Sequence, residues 1–212
     1  VLEGILGPFR APSHDTFSRV FRQLDPIQFA RVFARFAAGF AEGLAGVVAV
    51  DGKALRRAHQ TGLAAAPPLM VTAWAANARL ALAGIMPDTS NGENELTAAL
   101  SVLDLLDLRG TTVTADALHC TRAMAAKVLE RGGDYCLCLK ANRRKLKPAA
   151  DAVLAAAPQP DRVETVETSH GRQERRRLDI VAAPGFGADV DFPGVAAIAR
   201  VTSWRGKAAP KT

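Results

Sequence analysis

The sequence predicts an α/β domain, and three observations carry that expectation. Three short apolar runs come in succession, VVAV at 47–50, LMVTAWAA at 69–76 and LALAGIM at 80–86, the last two joined by the turn-like Asn77-Ala78-Arg79. Helical periodicity then alternates with two more strand-like runs, TTVTA at 111–115 and YCLCL at 135–139. The chain has 212 residues, 49% of them hydrophobic, which is ample for one packed core.

Residues 1–46 read as a small helical lead-in. Phe17, Val20, Phe21 and Leu24 recur at helical spacing, and Phe29, Val32, Phe33, Phe36 and Phe40 do so again, so the phenylalanines are expected to form a buried stripe. Ser13, His14 and Asp15 offer caps for the first helix, and Pro26 starts the second after Asp25. From Glu93 to Leu108, the positions Leu96, Leu100, Leu103 and Leu106 predict a helix ended by Gly110. Residues 119–131 predict another, stopped by Gly132-Gly133. Asp134 reads as a turn residue after that glycine pair. The basic stretch NRRKLKPAADAVLAAA reads as mostly helical, with Pro148 near its first turn. Beyond Pro158, alternating segments at 162–168, 174–181 and 195–202 predict a strand-rich tail.

Net charge is +6 and the sequence pI is near 9.6, which favours a polyanionic partner. No uncharged apolar run is long enough to span a bilayer and the first residues do not read as a signal peptide. The expectation is a soluble, cytoplasmic protein with no membrane partner. Both ends read as cuts in a longer chain. Cys120, Cys136 and Cys138 are odd in number and lack a second ligand pair for zinc, so buried free thiols are expected.

Three strands followed by helix-strand-helix-strand is the order of a ribonuclease H-like mixed sheet, written βββαβαβ, in which the first and fourth strands are neighbours. Asp51 follows the first of these runs and Asp116 the fourth. On parallel neighbouring strands the two carboxylates would leave one sheet edge about 4.8 Å apart. Open α/β sheets place their chemistry at that edge. Facing carboxylates repel unless they share a cation, and hard oxygen donors suit Mg2+ or Mn2+. Taken singly, Asp51 would be a turn residue before Gly52, and Asp116 a helix cap. The chain divides on this reading into a helical segment at 1–46, a catalytic core at 47–157 and a strand-rich insertion at 158–212.

VVAVDGKALRRA, GENEL, LLDLRGTTVTADALHC, GGDYCLCLKANRRKL and SHGRQERR, in that order, together with PSHDTFSRVFRQLD near the start, resemble the H-repeat-associated DDE transposases of bacterial insertion sequences. The resemblance implies a ribonuclease H-like domain that cuts and joins element-end DNA with Mg2+ held by two aspartates and a glutamate. It places Asp51 and Asp116 on the two aspartate positions. For the third carboxylate Glu174 in HGRQERRR is carried as the candidate, with Glu93 and Glu95 as alternatives and a glutamate beyond Thr212 as another. Thr121 and Arg143 stand where the family has Gln.

Basic residues follow both acids: Lys53, Arg56 and Arg57 after the first, and Lys140, Arg143, Arg144, Lys145 and Lys147 after the fifth strand. Lys53, Lys140 and Asn142 are expected to lie against a DNA backbone, with affinity that falls steeply with salt. For the run Arg175-Arg176-Arg177 in a strand, alternate residues must face opposite ways, and its role stays open. The functional expectation is a transposase acting on double-stranded element-end and target DNA, which the resemblance extends to a homo-oligomer on DNA. Two other classes compete with it: a truncated DNA-binding remnant that catalyses nothing, and a metal-dependent nuclease that only hydrolyses.

Overall fold

The computed structural model describes residues 12–40, 46–55, 67–169 and 172–206. Two helices come first, α1 (His14–Phe21) and α2 (Pro26–Phe40). Ser13 caps α1, its hydroxyl accepting the backbone N–H of Thr16 at 3.3 Å, and Asp25 Oδ1 accepts from the N–H of Gln28 at 2.8 Å at the start of α2. These oxygens replace the acceptors that the first turn of a helix lacks. Proline opens α2 without penalty because its missing N–H would have had no intrahelical partner.

Five strands form a mixed sheet: β1 (Gly46–Ala54), β2 (Leu69–Ala75), β3 (Leu80–Ile85), β4 (Thr111–Ala115) and β5 (Asp134–Leu137), in the order β3-β2-β1-β4-β5. The pairs β1–β2 and β2–β3 are antiparallel, while β1–β4 and β4–β5 are parallel. This is the ribonuclease H-like sheet that the strand order predicts. A tight connection between β2 and β3 yields antiparallel neighbours, whereas crossovers through helices α3 (Glu95–Asp104) and α4 (Arg122–Glu130) bring the chain back parallel.

Alternation along the strands decides which face is covered. Val48, Val50, Val71, Ala73, Ala75 and Val113 are buried on one face, in one cluster with Ala98, Ala99, Val102 and Leu103 of α3 and with Met124 and Val128 of α4. The alternate residues look the other way, and there Val47 and Trp74 are exposed. β1 runs four residues beyond the expected end at Val50. Its parallel ladder with β4 does stop at Val50 opposite Ala115, but β2 continues to pair it, with Asp51 opposite Thr72 and Lys53 opposite Met70. Asp51 and Lys53 are therefore strand residues rather than turn residues.

The expected phenylalanine stripe is not the buried one. Phe17, Phe21, Phe29 and Phe36 are exposed, while Ala30, Ala34 and Ala37, spaced i, i+4, i+7, are buried where α2 lies on β3. Small side chains let the helix backbone approach the sheet closely, and the rings are left on the helix flank, where Phe21 meets Phe29 edge-on and Phe29 stacks on Phe33. The cysteines also divide. Cys120 is buried, but Cys136 and Cys138 are exposed, because they alternate with the covered positions of β5 and its extension.

After α5 (Leu146–Ala156) come a second sheet and a short helix: β6 (Asp161–Ser169), β7 (Arg172–Ala182), α6 (Phe186–Asp189) and β8 (Ala197–Arg205). The three strands are antiparallel in the order β6-β7-β8. Pro148 is the third residue of α5, and the helix packs through Ala150 against Ala183 and Ile198.

Candidate active site

The parallel ladder between β1 and β4 pairs Val48 with Val113 and ends with Val50 beside Ala115. The next residues on the two strands are Asp51 and Asp116, which thus stand side by side at the carboxyl end of the ladder, about one strand spacing apart at the backbone. Asp51 is exposed, with Lys53 Nζ 3.6 Å from its Oδ2, as two residues on one face of a strand can be. Asp116 closes a turn: its Oδ1 accepts from the backbone N–H of Leu118 at 2.9 Å and of His119 at 3.4 Å. Among the described residues its Oδ2 has no hydrogen-bond partner. Asp116 thus closes a local turn rather than capping a helix, since α4 starts at Arg122 with Thr121 as its cap, and the turn occupies one of its two carboxylate oxygens.

The loop that carries Asp116 is tied down from several directions. Asn142 Nδ2 donates to the carbonyl of Ala117 at 3.1 Å, and Arg143 Nη2 donates to that of Leu118 at 2.9 Å. The amide of Cys138 donates to the carbonyl of Ala115, and Thr121 caps α4 by accepting from the N–H of Met124. His119 is buried, and its Nε2 lies 3.2 Å from Glu95 Oε1. Glu95 occupies the first turn of α3, which Asn94 and Thr97 start with a reciprocal capping box. Its side chain lies across Gly52 so closely that a Cβ there would overlap Oε1, Cδ and Cγ. Burial pushes the Cys120 thiol up from its ordinary range, partly offset by Arg143 nearby, so it is a poor nucleophile at neutral pH.

Among the described residues no set of three or more His, Cys, Asp or Glu is gathered closely enough to hold a metal ion alone. A pair of carboxylates still fits Mg2+, which keeps several waters and is commonly held by one or two protein carboxylates together with substrate phosphates.

No protein-family model matches the sequence. Individual curated proteins do. The chain is 39% identical over 202 residues to an uncharacterized protein in the dhlA 3′ region of Xanthobacter autotrophicus, covering 92% of this chain and 67% of that one. It is 31% identical over 176 residues to the putative transposase YncI of Escherichia coli K12, covering 81% of this chain and 70% of YncI. The H repeat-associated putative transposase YhhI of the same strain is 29% identical over 186 residues, with 85% and 49% covered. The chain belongs to the H repeat-associated transposase family. It spans about half the length of YhhI and of a further relative, YbfL, of which 49% is covered in each case. Among solved structures, a piggyBac transposase synaptic complex with hairpin DNA aligns over 77% of this chain and 37% of its own at TM-score 0.40 and 9% identity, a likeness too distant to carry weight.

In this transposase-family chain the motif residues outside the acid pair fall in three kinds of place. Lys140 is exposed just beyond β5 and, among the described residues, has no ion-pair partner. Asn142, expected against DNA, spends its amide on Ala117 and so holds the Asp116 loop. Glu174 lies in β7 of the second sheet, 2.8 Å from Arg176 and 3.9 Å from Arg205, and no contact links it to Asp51 or Asp116. The arginine run divides by face as alternation demands. Arg175 and Arg177 both lie over the Trp204 ring at 5.4 Å and pair with Glu164 and Asp179, while Arg176 pairs with Glu167 and Glu174. Arg56, Arg57 and His170 lie outside the described residues. The sequence reading missed His119 and Gly52. The signal was present in the glycine directly after Asp51 and the histidine three residues after Asp116, but nothing in the chain order joins them to Glu95.

Proposed function

We propose that this chain forms the catalytic core of a bacterial insertion-sequence transposase, which binds element-end and target DNA and performs metal-dependent phosphodiester cleavage and strand transfer at Asp51 and Asp116. The observation that carries the reading is the parallel β1–β4 ladder ending at Val50 and Ala115, which leaves the two aspartates adjacent. Asp51 and Asp116 would hold Mg2+ or Mn2+ together with a DNA phosphate, and the ion would supply charge stabilisation at the reacting phosphorus. Lys53, beside Asp51, is suited to turn toward a phosphate once a cation neutralises the carboxylate, and Lys140 offers an unpaired charge beyond β5. The helical segment 1–46, the core 47–157 and the insertion 158–212 are its parts, the complex on DNA is a homo-oligomer, and its compartment is the nucleoid-containing cytoplasm. None of the described helices is long and apolar enough to cross a membrane.

The engagement of Glu174 by arginines favours a second reading, DNA binding without catalysis, because it leaves two aspartates rather than three carboxylates at the ladder's end. Cleavage of labelled element-end DNA in Mg2+ or Mn2+ separates the two. The transposase reading expects cleavage that disappears in Asp51→Ala and in Asp116→Ala, and strand transfer rather than hydrolysis alone distinguishes it from a nuclease. Cleavage also lost in Glu174→Ala would make Glu174 the third carboxylate. Salt-sensitive binding with no cleavage under any metal overturns the catalytic reading.

A further inference from the structure

We propose that Glu95 and His119 form a clasp that positions the two aspartates, with Gly52 as the gap in β1 that admits it. This deepens the reading of Asp51 and Asp116 as the paired carboxylates and rests on it.

Three segments meet at the clasp that are far apart in sequence: β1 at Gly52, the first turn of α3 at Glu95 and the β4–α4 loop at His119. On one side Glu95 covers the residue next to Asp51. On the other it holds the imidazole of the residue whose amide, with that of Leu118, is accepted by Asp116 Oδ1. One side chain therefore fixes the end of β1 relative to the turn that aims Asp116. Orienting a metal-binding carboxylate through outer hydrogen bonds is a general way to tune such a site.

The chemistry of the imidazole fixes the direction of the bond. His119 is 1% exposed and its Nδ1 has no partner. A proton on Nδ1 would be a buried donor without an acceptor, so the proton belongs on Nε2, which donates it to Glu95. Were Glu95 to leave for a metal ion, both ring nitrogens would be buried and unpaired, which is costly. Alternation along β1 agrees. Gly52 faces the helix-covered side with Val48 and Val50, and Asp51 faces the other, so Glu95 stands behind the aspartates rather than among them. Glu95 and His119 are positioning residues in this account, not catalytic ones. A Cβ at position 52 would have to displace the Glu95 side chain, so glycine there keeps the clasp in place.

The test uses the full chain and the variants Glu95→Ala, Glu95→Gln and Gly52→Ala, read by Mn2+-dependent cleavage kinetics, DNA affinity, thermal midpoint and amide NMR. Glu95→Ala and Gly52→Ala are expected to lower kcat by roughly 10- to 100-fold, the range for outer-shell partners of a metal site, with DNA affinity little changed. The midpoint falls in Glu95→Ala, where buried His119 loses its acceptor, but by less than the loss of kcat requires. In the spectra the Leu118 and His119 amides shift. Glu95→Gln keeps an oxygen that accepts from Nε2 and recovers most of the kcat and the wild-type amide positions. The clasp is overturned if Glu95→Gln is as inactive as Glu95→Ala, since Glu95 would then act by its charge on the metal. It is also overturned if the amides do not move in Glu95→Ala, or if activity falls only in proportion to a lowered midpoint. Failure of the paired-carboxylate reading shows separately, as cleavage that survives Asp51→Ala, and the amide shifts decide the clasp in that case too.

Discussion

The two sheets handle charge in opposite ways. In the three-stranded sheet every member of the run Arg175-Arg176-Arg177 has a carboxylate within reach, supplied by Glu164, Glu167, Glu174 and Asp179, and two of the three also lie over Trp204. At the carboxyl end of the β1–β4 ladder, two acids stand beside each other with one flexible lysine as the cation near Asp51. The longer and more conspicuous charge run in the sequence is thus internally balanced, while the two isolated acids are not. Like charges held together without a matched partner need a cation from outside, and functional sites are where that arrangement occurs.

Mutations can break this contrast, beginning with the acids. Asp51→Ala or Asp116→Ala is expected to remove several kcal/mol of transition-state stabilisation, about a thousandfold or more in cleavage rate, with folding unaffected by circular dichroism. A smaller effect belongs to the scaffold under both acids. Leu103 is fully buried between α3 and the sheet, so Leu103→Ala should cost about 2–5 kcal/mol, seen as a lower denaturation midpoint at unchanged slope. Next come the cations. Lys53→Ala and Lys140→Ala should each reduce the salt dependence of DNA binding by about one phosphate contact. Arg175→Ala should leave that slope unchanged and cost at most about 1 kcal/mol of stability, as exposed ion pairs do. An equal loss of slope in the arginine variant would erase the contrast between the sheets. The smallest effect concerns acid. Arg162, hydrogen-bonded to Asp179, with Arg177 adding to it, holds that carboxyl below its usual range. A depressed carboxyl contributes stability in full above its unfolded value of 3.8 and loses it as pH falls through the lower folded value. Titration of Asp179 followed by NMR should show that depression in wild type and its relief in Arg162→Ala.

The sequence was legible where one residue decides a local outcome, and illegible where distant residues decide together. Pro26 and Pro148 mark helix starts because their rings forbid the interior. The run at 111–115 and most of that at 135–139, which pairs as Asp134–Leu137, are strands because their flanks carry glycines and turns. From that order alone the neighbouring of β1 and β4 follows, and with it the adjacency of Asp51 and Asp116. The end of β1 was not legible, since pairing to β2 and not the apolar run carries it to Ala54. Helical spacing showed that the phenylalanines share a flank of α2, but not that the neighbouring alanines would take the sheet. Part of the neutralisation of the arginine run depends on the register of β6 against β7, which brings Glu164 within reach of Arg175 and Glu167 within reach of Arg176. The clasp from Glu95 to His119 spans 24 residues and exists only once α3 has folded back across β1.

The exposure of Cys136 and Cys138 gives the molecule a built-in place for an optical reporter. Cys138 is held by its own amide to Ala115, the residue just before Asp116, so a dye on that sulfur would sit one strand away from the acid pair. Cys120 is shielded, and burial pushes its thiol up, so an alkylating reagent should modify two sulfurs quickly and the third slowly. Light emitted from that label would change when a metal ion or a DNA strand arrives at the end of β4. Binding could then be followed without waiting for any bond to break.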